Sequence, residues 1–210
     1  MYRQKIFILT FLVLTAGTIA TISYAKGWST SEVFSFISSG HGPSYYSKAI
    51  AADTGTPVAP ELSQGTWINS EPLTLKALKG RVVVVDFWTF GCYNCRNTLP
   101  SIKSWDARYR DQGLTIVGVH SPEFDDEKKI ENVRREVAAL ELRYPVVTDN
   151  DYATWNAYRV EAWPTIFVLD KSGRIRWQHV GEGAYAETEQ VIQKLLAEDS
   201  ATEKKSENKQ

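Results

Sequence analysis

The pattern of apolar and polar positions divides the chain into four stretches. Residues 6–25, IFILTFLVLTAGTIATISYA, carry no charge and follow Arg3 and Lys5. Twenty uncharged residues in a helix reach about 30 Å, enough to cross a bilayer. The basic flank predicts a cytoplasmic N-terminus and export of everything after Lys26. Ser23-Tyr24-Ala25 also has the small-x-small form of a signal-peptidase site. Residues 1–26 therefore read as a membrane anchor or a signal peptide, and either one exports the remainder. Residues 27–65 are rich in Ser, Gly and Pro without periodicity and are expected to form a flexible tether. Residues 198–210 are charged, lack large apolar side chains and are expected to be a disordered tail.

The stretch 66–197 alternates between two periods. Val82-Val83-Val84-Val85-Asp86-Phe87-Trp88 is the β-branched apolar run of a buried parallel strand. From Cys95 to about Asp111, Leu99, Ile102, Trp105 and Tyr109 recur at helical spacing, and residues 114–119 form a second strand. A helix over 126–143 places Ile130, Val133, Val137 and Leu140 on one face. A short strand over 144–148 and a short helix over 152–158 follow. Residues 165–169 and 175–180 flank Asp170-Lys171-Ser172-Gly173, a hairpin turn signal, and a helix over 187–197 closes the stretch. This order predicts an α/β sandwich, with a central mixed β-sheet flanked by helices and preceded by the N-terminal hydrophobic helix.

Composition narrows the chemistry. The 210 residues hold 24 Lys and Arg against 25 Asp and Glu, so no basic excess points to nucleic acid. The only two cysteines, Cys92 and Cys95, exclude a disulfide-stapled mini-fold and a four-cysteine metal cluster within one chain.

Cys92-Tyr93-Asn94-Cys95 follows the buried strand and opens the next helix. Residues i and i+3 at a helix start share a face about 5–6 Å apart, within disulfide reach. The unpaired amides and positive end of the helix favour a thiolate on Cys92. Arg96 and Lys103 add positive charge nearby. Two alternatives stand beside a redox-active dithiol. A purely structural disulfide would close a very short loop and contribute only about 2 kcal/mol. Zinc would need further ligands from His41, His120, His179 or carboxylates, none at close ligand spacing. Arg96 after Cys95 excludes covalent c-type haem, and no metal or cofactor is expected. The Pro-x-x-x-Thr-x-x-Cys arrangement of peroxiredoxins is absent before Cys92.

The segment from Asp86 to Cys95, together with Trp163-Pro164-Thr165, resembles the thioredoxin superfamily. The long stretch between the dithiol and Pro164 is similar to its extracytoplasmic TlpA/ResA-like branch. Residues 118–124 (GVHSPEF), 149–155 (DNDYATW) and 181–185 (GEGAY) resemble the thioredoxin-like domain of DipZ-type proteins. The resemblance implies a thioredoxin-like sandwich over 66–197, with Cys92 as attacking thiol and Cys95 as resolving thiol. It implies a cis-proline at Pro164 facing the dithiol, and a buried proton-transfer acid at Asp86. A carboxylate buried among valines is expected to have a raised pKa. Trp88, Tyr93, Trp163 and Thr165 are expected to meet substrate. His120 reads as a structural histidine that could instead approach the dithiol, and Glu161 as a weaker acid–base candidate.

The function implied is an extracytoplasmic protein-disulfide reductase acting on disulfide-containing exported proteins. Export puts cytosolic reductants out of reach, so a membrane electron-transfer protein is expected as donor. Cytochrome c biogenesis is a pathway suggested only by fold analogy. The alternatives are an oxidase of the same fold, a peroxidase, and a copper-binding chaperone using Cys92, Cys95 and His120.

Overall fold

A computed structural model describes residues 57–198 and the backbone of 47–49. Seven strands and four helices follow in chain order: β1 (Ser47–Ala49), β2 (Trp67–Ile68), β3 (Val82–Trp88), α1 (Tyr93–Tyr109), β4 (Leu114–His120), α2 (Ile130–Ala139), β5 (Val146–Thr148), α3 (Ala153–Ala157), β6 (Thr165–Leu169), β7 (Ile175–Val180) and α4 (Tyr185–Ala197). They build one sheet in the order β1-β7-β6-β3-β4-β5-β2. β3, β4 and β5 run parallel, whereas β6, β7 and the two edge strands join antiparallel, so the sheet is mixed.

β3 lies at the centre, with all seven of its residues buried. Its alternate side chains feed two cores. Val82, Val84 and Trp88 pack with Leu99, Ile102 and Trp105 of α1 and with Ile192 and Leu195 of α4. Val83, Val85 and Phe87 pack with Leu75, Leu78, Tyr158 and Val160 on the opposite face. Each such side chain contributes about 1.5–3 kcal/mol on burial, and this fixes which way Asp86 points. As residue i+2 from Val84, it faces the α1 side.

Three expectations about local structure are corrected. The helix expected over 126–143 is interrupted. A 3-10 turn covers Asp125–Lys128, Lys129 is extended at φ −76° and ψ 116°, and only Ile130–Ala139 is α-helical. The break frees the Glu127 carboxylate to turn inward, where it accepts backbone N–H groups. The strand expected from Tyr144 begins at Val146, because Pro145 has no N–H to donate and instead offers its carbonyl to Gly118. The last helix starts at Tyr185, two residues early, behind Ala184 in a left-handed conformation at φ 48°.

The segment read as a tether is partly built into the fold. β1 pairs with β7, Ala59 and Leu62 are buried, and the Ala59 amide donates to the Gly173 carbonyl at 2.9 Å. The uncharged run 6–25 and residues 199–210 lie outside the described residues. Among the described residues, no helix is long and apolar enough to cross a membrane.

Candidate active site

The dithiol is placed by the end of β3. Thr89, Phe90 and Gly91 carry the chain from that strand to Cys92, which caps α1 in an extended conformation. Cys92 and Cys95 are joined as a disulfide with Cα atoms 5.3 Å apart. The Cys95 amide donates to Cys92 Sγ at 3.1 Å, so the sulfur stands where an N-cap oxygen ordinarily would. The first turn of α1 contains no acidic residue to oppose negative charge there. Cys95 is buried at 1% exposure, whereas Cys92 is partly exposed. The two cations expected nearby have other partners. Arg96 faces Glu136 at 3.8 Å, and Lys103 donates to the Leu140 carbonyl and faces Glu141. The feature beside Cys92 that favours negative charge is thus the helix terminus.

Asp86 is 1% exposed, and desolvation in the core pushes its carboxyl up to about 7. It pairs in register with Gly118 on β4 and Ile166 on β6. Its face of the sheet also holds Trp88, Tyr144 and Cys95 in one core. Asp86 Oδ1, Trp88 Nε1 and the Tyr144 hydroxyl are all buried there without a hydrogen-bond partner. Near neutrality Asp86 therefore holds a proton part of the time, on the face of the sheet whose core includes Cys95.

Pro164 follows Trp163 through a cis peptide bond and begins β6. Phe87 pairs with Thr165, so the Trp163-Pro164 loop emerges at the same end of the sheet as the dithiol. Trp163 donates from Nε1 to the Ser121 carbonyl at 3.0 Å and packs on Trp155 with ring centroids 4.3 Å apart. Two side chains expected to meet substrate are placed elsewhere. Trp88 and Thr165 are both fully buried, Trp88 within the core and Thr165 with its hydroxyl on the Ala162 carbonyl. Tyr93, by contrast, is 75% exposed.

His120 packs under the loop that leads to Cys92. It lies within 3.3 Å of Thr89 Oγ1, stacks on Phe90 and meets Trp88 edge-on. Burial lowers its pKa to about 4, with the charge of Glu127 opposing, so the ring is neutral at pH 7. Glu161 is exposed in the loop before Trp163.

Sequence reasoning missed Glu127. Its side chain is buried, and Oε1 accepts from the Gly91 amide at 2.9 Å. Oε2 accepts from the Glu123 and Phe124 amides at 2.6 and 3.0 Å. An acid three residues after a helix-start position is half of a capping box, and that spacing was the available signal.

The matches to known proteins agree with this geometry. The model of the AhpC/TSA family matches residues 58–178. Protein DipZ of Mycobacterium bovis is 42% identical over 142 residues, which cover 66% of this chain and 20% of that protein. The chain thus spans about a fifth of the length of the DipZ relatives it matches. Thiol-disulfide oxidoreductase YkuV of Bacillus subtilis is 27% identical, across 66% of this chain and 94% of that one. The crystal structure of a thiol-disulfide isomerase from Corynebacterium glutamicum superposes with a TM-score of 0.60 at 27% identity, covering 66% of this chain and 97% of the other. The chain belongs to the AhpC/TSA family and carries its Cys92–Cys95 pair on a thioredoxin-like α/β fold.

Proposed function

We propose that the chain is a thiol–disulfide oxidoreductase acting outside the cytoplasm as a reductase of disulfides in exported proteins. The observation that carries the chemistry is the pair itself: a partly exposed sulfur at a helix N-terminus, bonded to a buried one a turn further in. In the reduced enzyme, the Cys92 thiolate attacks one sulfur of a substrate disulfide and displaces the other as thiolate. Cys95 then gives up its proton and attacks Cys92 Sγ. This forms the Cys92–Cys95 disulfide and releases the second substrate thiol. Two electrons pass from the enzyme to its substrate, and an external donor must return them. Asp86 takes the Cys95 proton in this reading, which its burial on the side of the sheet that holds Cys95 and its pKa near neutrality support.

Export is supported by the uncharged run 6–25 behind a basic flank, which also supports a membrane anchor and a membrane electron-transfer donor. The direction of electron flow is read by equilibrating the protein in graded thiol–disulfide buffers. A potential at or below about −250 mV is expected for a reductase, and one above about −180 mV would make the protein an oxidase. Cys95→Ser should accumulate mixed disulfides with substrate through Cys92, visible on non-reducing gels. A Cys92→Ser variant that still reduced disulfides would overturn the mechanism.

A further inference from the structure

A carboxyl that is 1% exposed and changes its charge near neutrality needs a way to exchange protons with solvent, and Asp86 is such a group. The dithiol end of α1 is a poor exit, because substrate is bonded to Cys92 there while the buried Cys95 gives up its proton. The polar atoms around Asp86 lead elsewhere. Asp86 Oδ1, Trp88 Nε1 and the Tyr144 hydroxyl share one core, and none has a hydrogen-bond partner. Gly118, in register with Asp86, has no Cβ, and the indole nitrogen of Trp88 and the ring of Tyr144 close over the space that a Cβ would fill. Unpaired polar groups within a core are commonly joined by water.

Tyr144 also reaches the other way. It lines a cleft of about 460 Å³ together with Lys103, Asp106, Arg110, Glu141 and Arg143. The cleft lies under the C-terminal half of α1, where Asp106 is eleven residues beyond Cys95, about 16 Å along the helix. Burial and the charges of Asp86 and Asp106 push the Tyr144 hydroxyl well above its ordinary range. It therefore keeps its hydrogen and lies in the field of both carboxylates. The other titratable groups around it are accounted for. Asp106 is paired with Arg110 and Lys103 with Glu141, and His120 on β4 is neutral above about pH 4.

We propose that Tyr144 is the proton port of Asp86, linking the buried carboxyl through bridging water to the cleft beneath the far half of α1. Tyr144 acts through Asp86 and is thus a positioning residue. The inference rests on the thiol–disulfide exchange reading, in which Asp86 takes the Cys95 proton. Asp86 then passes that proton to the bridging water, the water passes one of its own to the Tyr144 oxygen, and the tyrosine releases its hydroxyl hydrogen to solvent in the cleft. Water and tyrosine end as they began, and the Asp86 carboxylate is regenerated. Cleft and dithiol lie at different ends of α1, which leaves this route open while substrate covers Cys92.

The test mixes pre-reduced full-length protein with a symmetric nitroaryl disulfide in stopped flow. One coloured thiolate leaves when Cys92 attacks and a second when Cys95 resolves, so the second phase depends on loss of the Cys95 proton. Tyr144→Phe keeps the ring and removes the hydroxyl that holds the bridging water against the ionised carboxyl. The pH midpoint of the second phase should rise by about one unit, making that phase about tenfold slower on its acid side. The rates should converge at high pH, and the first phase should be unchanged. Ala107→Trp, which plugs the cleft from its wall, should shift the midpoint the same way. Tyr158→Phe removes an unpaired buried hydroxyl from the opposite core and should keep the wild-type profile. A second measurement needs no variant: by carbon NMR of wild type, the Tyr144 ring carbon that bears the hydroxyl should follow the titration of Asp86. A Tyr144→Phe or Ala107→Trp profile that overlays wild type, or a Tyr144 resonance that stays flat through the Asp86 midpoint, overturns the port. A wild type that releases neither thiolate overturns the exchange reading, and the resonance still decides the port.

Discussion

A methyl group at position 118 would fall 2.9 Å from Trp88 Nε1 and 3.2 Å from Tyr144 Cε2. Gly118 is thus the place where two rings close over the strand beside Asp86, its partner in register. Gly118→Ala must push a buried indole out of its packing, and overpacking of this kind costs about 1–3 kcal/mol. The expected outcome is a lower denaturation midpoint with an unchanged slope. Nothing in the linear pattern separates this glycine from one that merely weakens a strand, because its reason lies in side chains 30 and 26 positions away. The dithiol, the strand before it and Pro164 were legible because their residue types carry their own chemistry. Glu127 was not, because a Glu in an acidic, helix-like stretch looks the same whether it faces solvent or backbone.

At the scale of elements, legibility depended on how much of an element's stability is written in its own sequence. β3 declares itself through its apolar run, and α1 through its periodic Leu, Ile and Trp. The five-residue α3 has no such support. It is held by Asp149, a buried carboxylate outside the helix. Asp149 accepts from the Thr154 and Trp155 amides, both at 2.9 Å, and from the hydroxyls of Ser63 and Ser121 at 3.2 Å. Asp149→Ala strands the Thr154 and Trp155 amides and the Ser121 hydroxyl at once, while the Ser63 hydroxyl keeps Thr154 Oγ1 as a partner. With about 1–3 kcal/mol for each group left buried and unsatisfied, the loss should reach about 3 kcal/mol or more. Thermal melting should show the drop, and hydrogen exchange should show it concentrated at the Thr154 and Trp155 amides. The interruption before α2 is the opposite case. Periodicity ran on through Lys129, and a tertiary contact, the Glu127 clamp, overrode it.

Across the whole molecule, two buried groups pull stability in opposite directions with pH. Asp86 is raised from 3.8 to about 7, so the folded state keeps a proton that the unfolded chain releases. Its contribution is present below pH 3.8 and is lost as pH climbs through 7, a linkage of about 4 kcal/mol. His120 is lowered from 6.5 to about 4, so the unfolded chain takes up a proton that the fold refuses. Its contribution is present above pH 6.5 and is lost as pH falls toward 4. Between those values the two slopes oppose. Chemical denaturation across this window should show the stability of Asp86→Asn, relative to wild type, rising steadily with pH. That of His120→Gln, again relative to wild type, should fall with it. Parallel profiles for wild type and Asp86→Asn would show that Asp86 ionises in the fold at its ordinary pKa.

The upstream segment supplies both outermost strands of the sheet. β1 lies against β7 at one edge and β2 against β5 at the other, with Ala59 and Leu62 buried between them in sequence. An uncovered strand edge is a template for pairing with another molecule. This one stretch of chain therefore guards against self-association at both borders. The point of cutting that composition suggests, residue 66, keeps one guard and discards the other. A fragment begun there presents the bare side of β7 to its neighbours in solution and loses the cover of Ala59 and Leu62. A fragment that begins ahead of Ser47, the first residue of β1, keeps both guards.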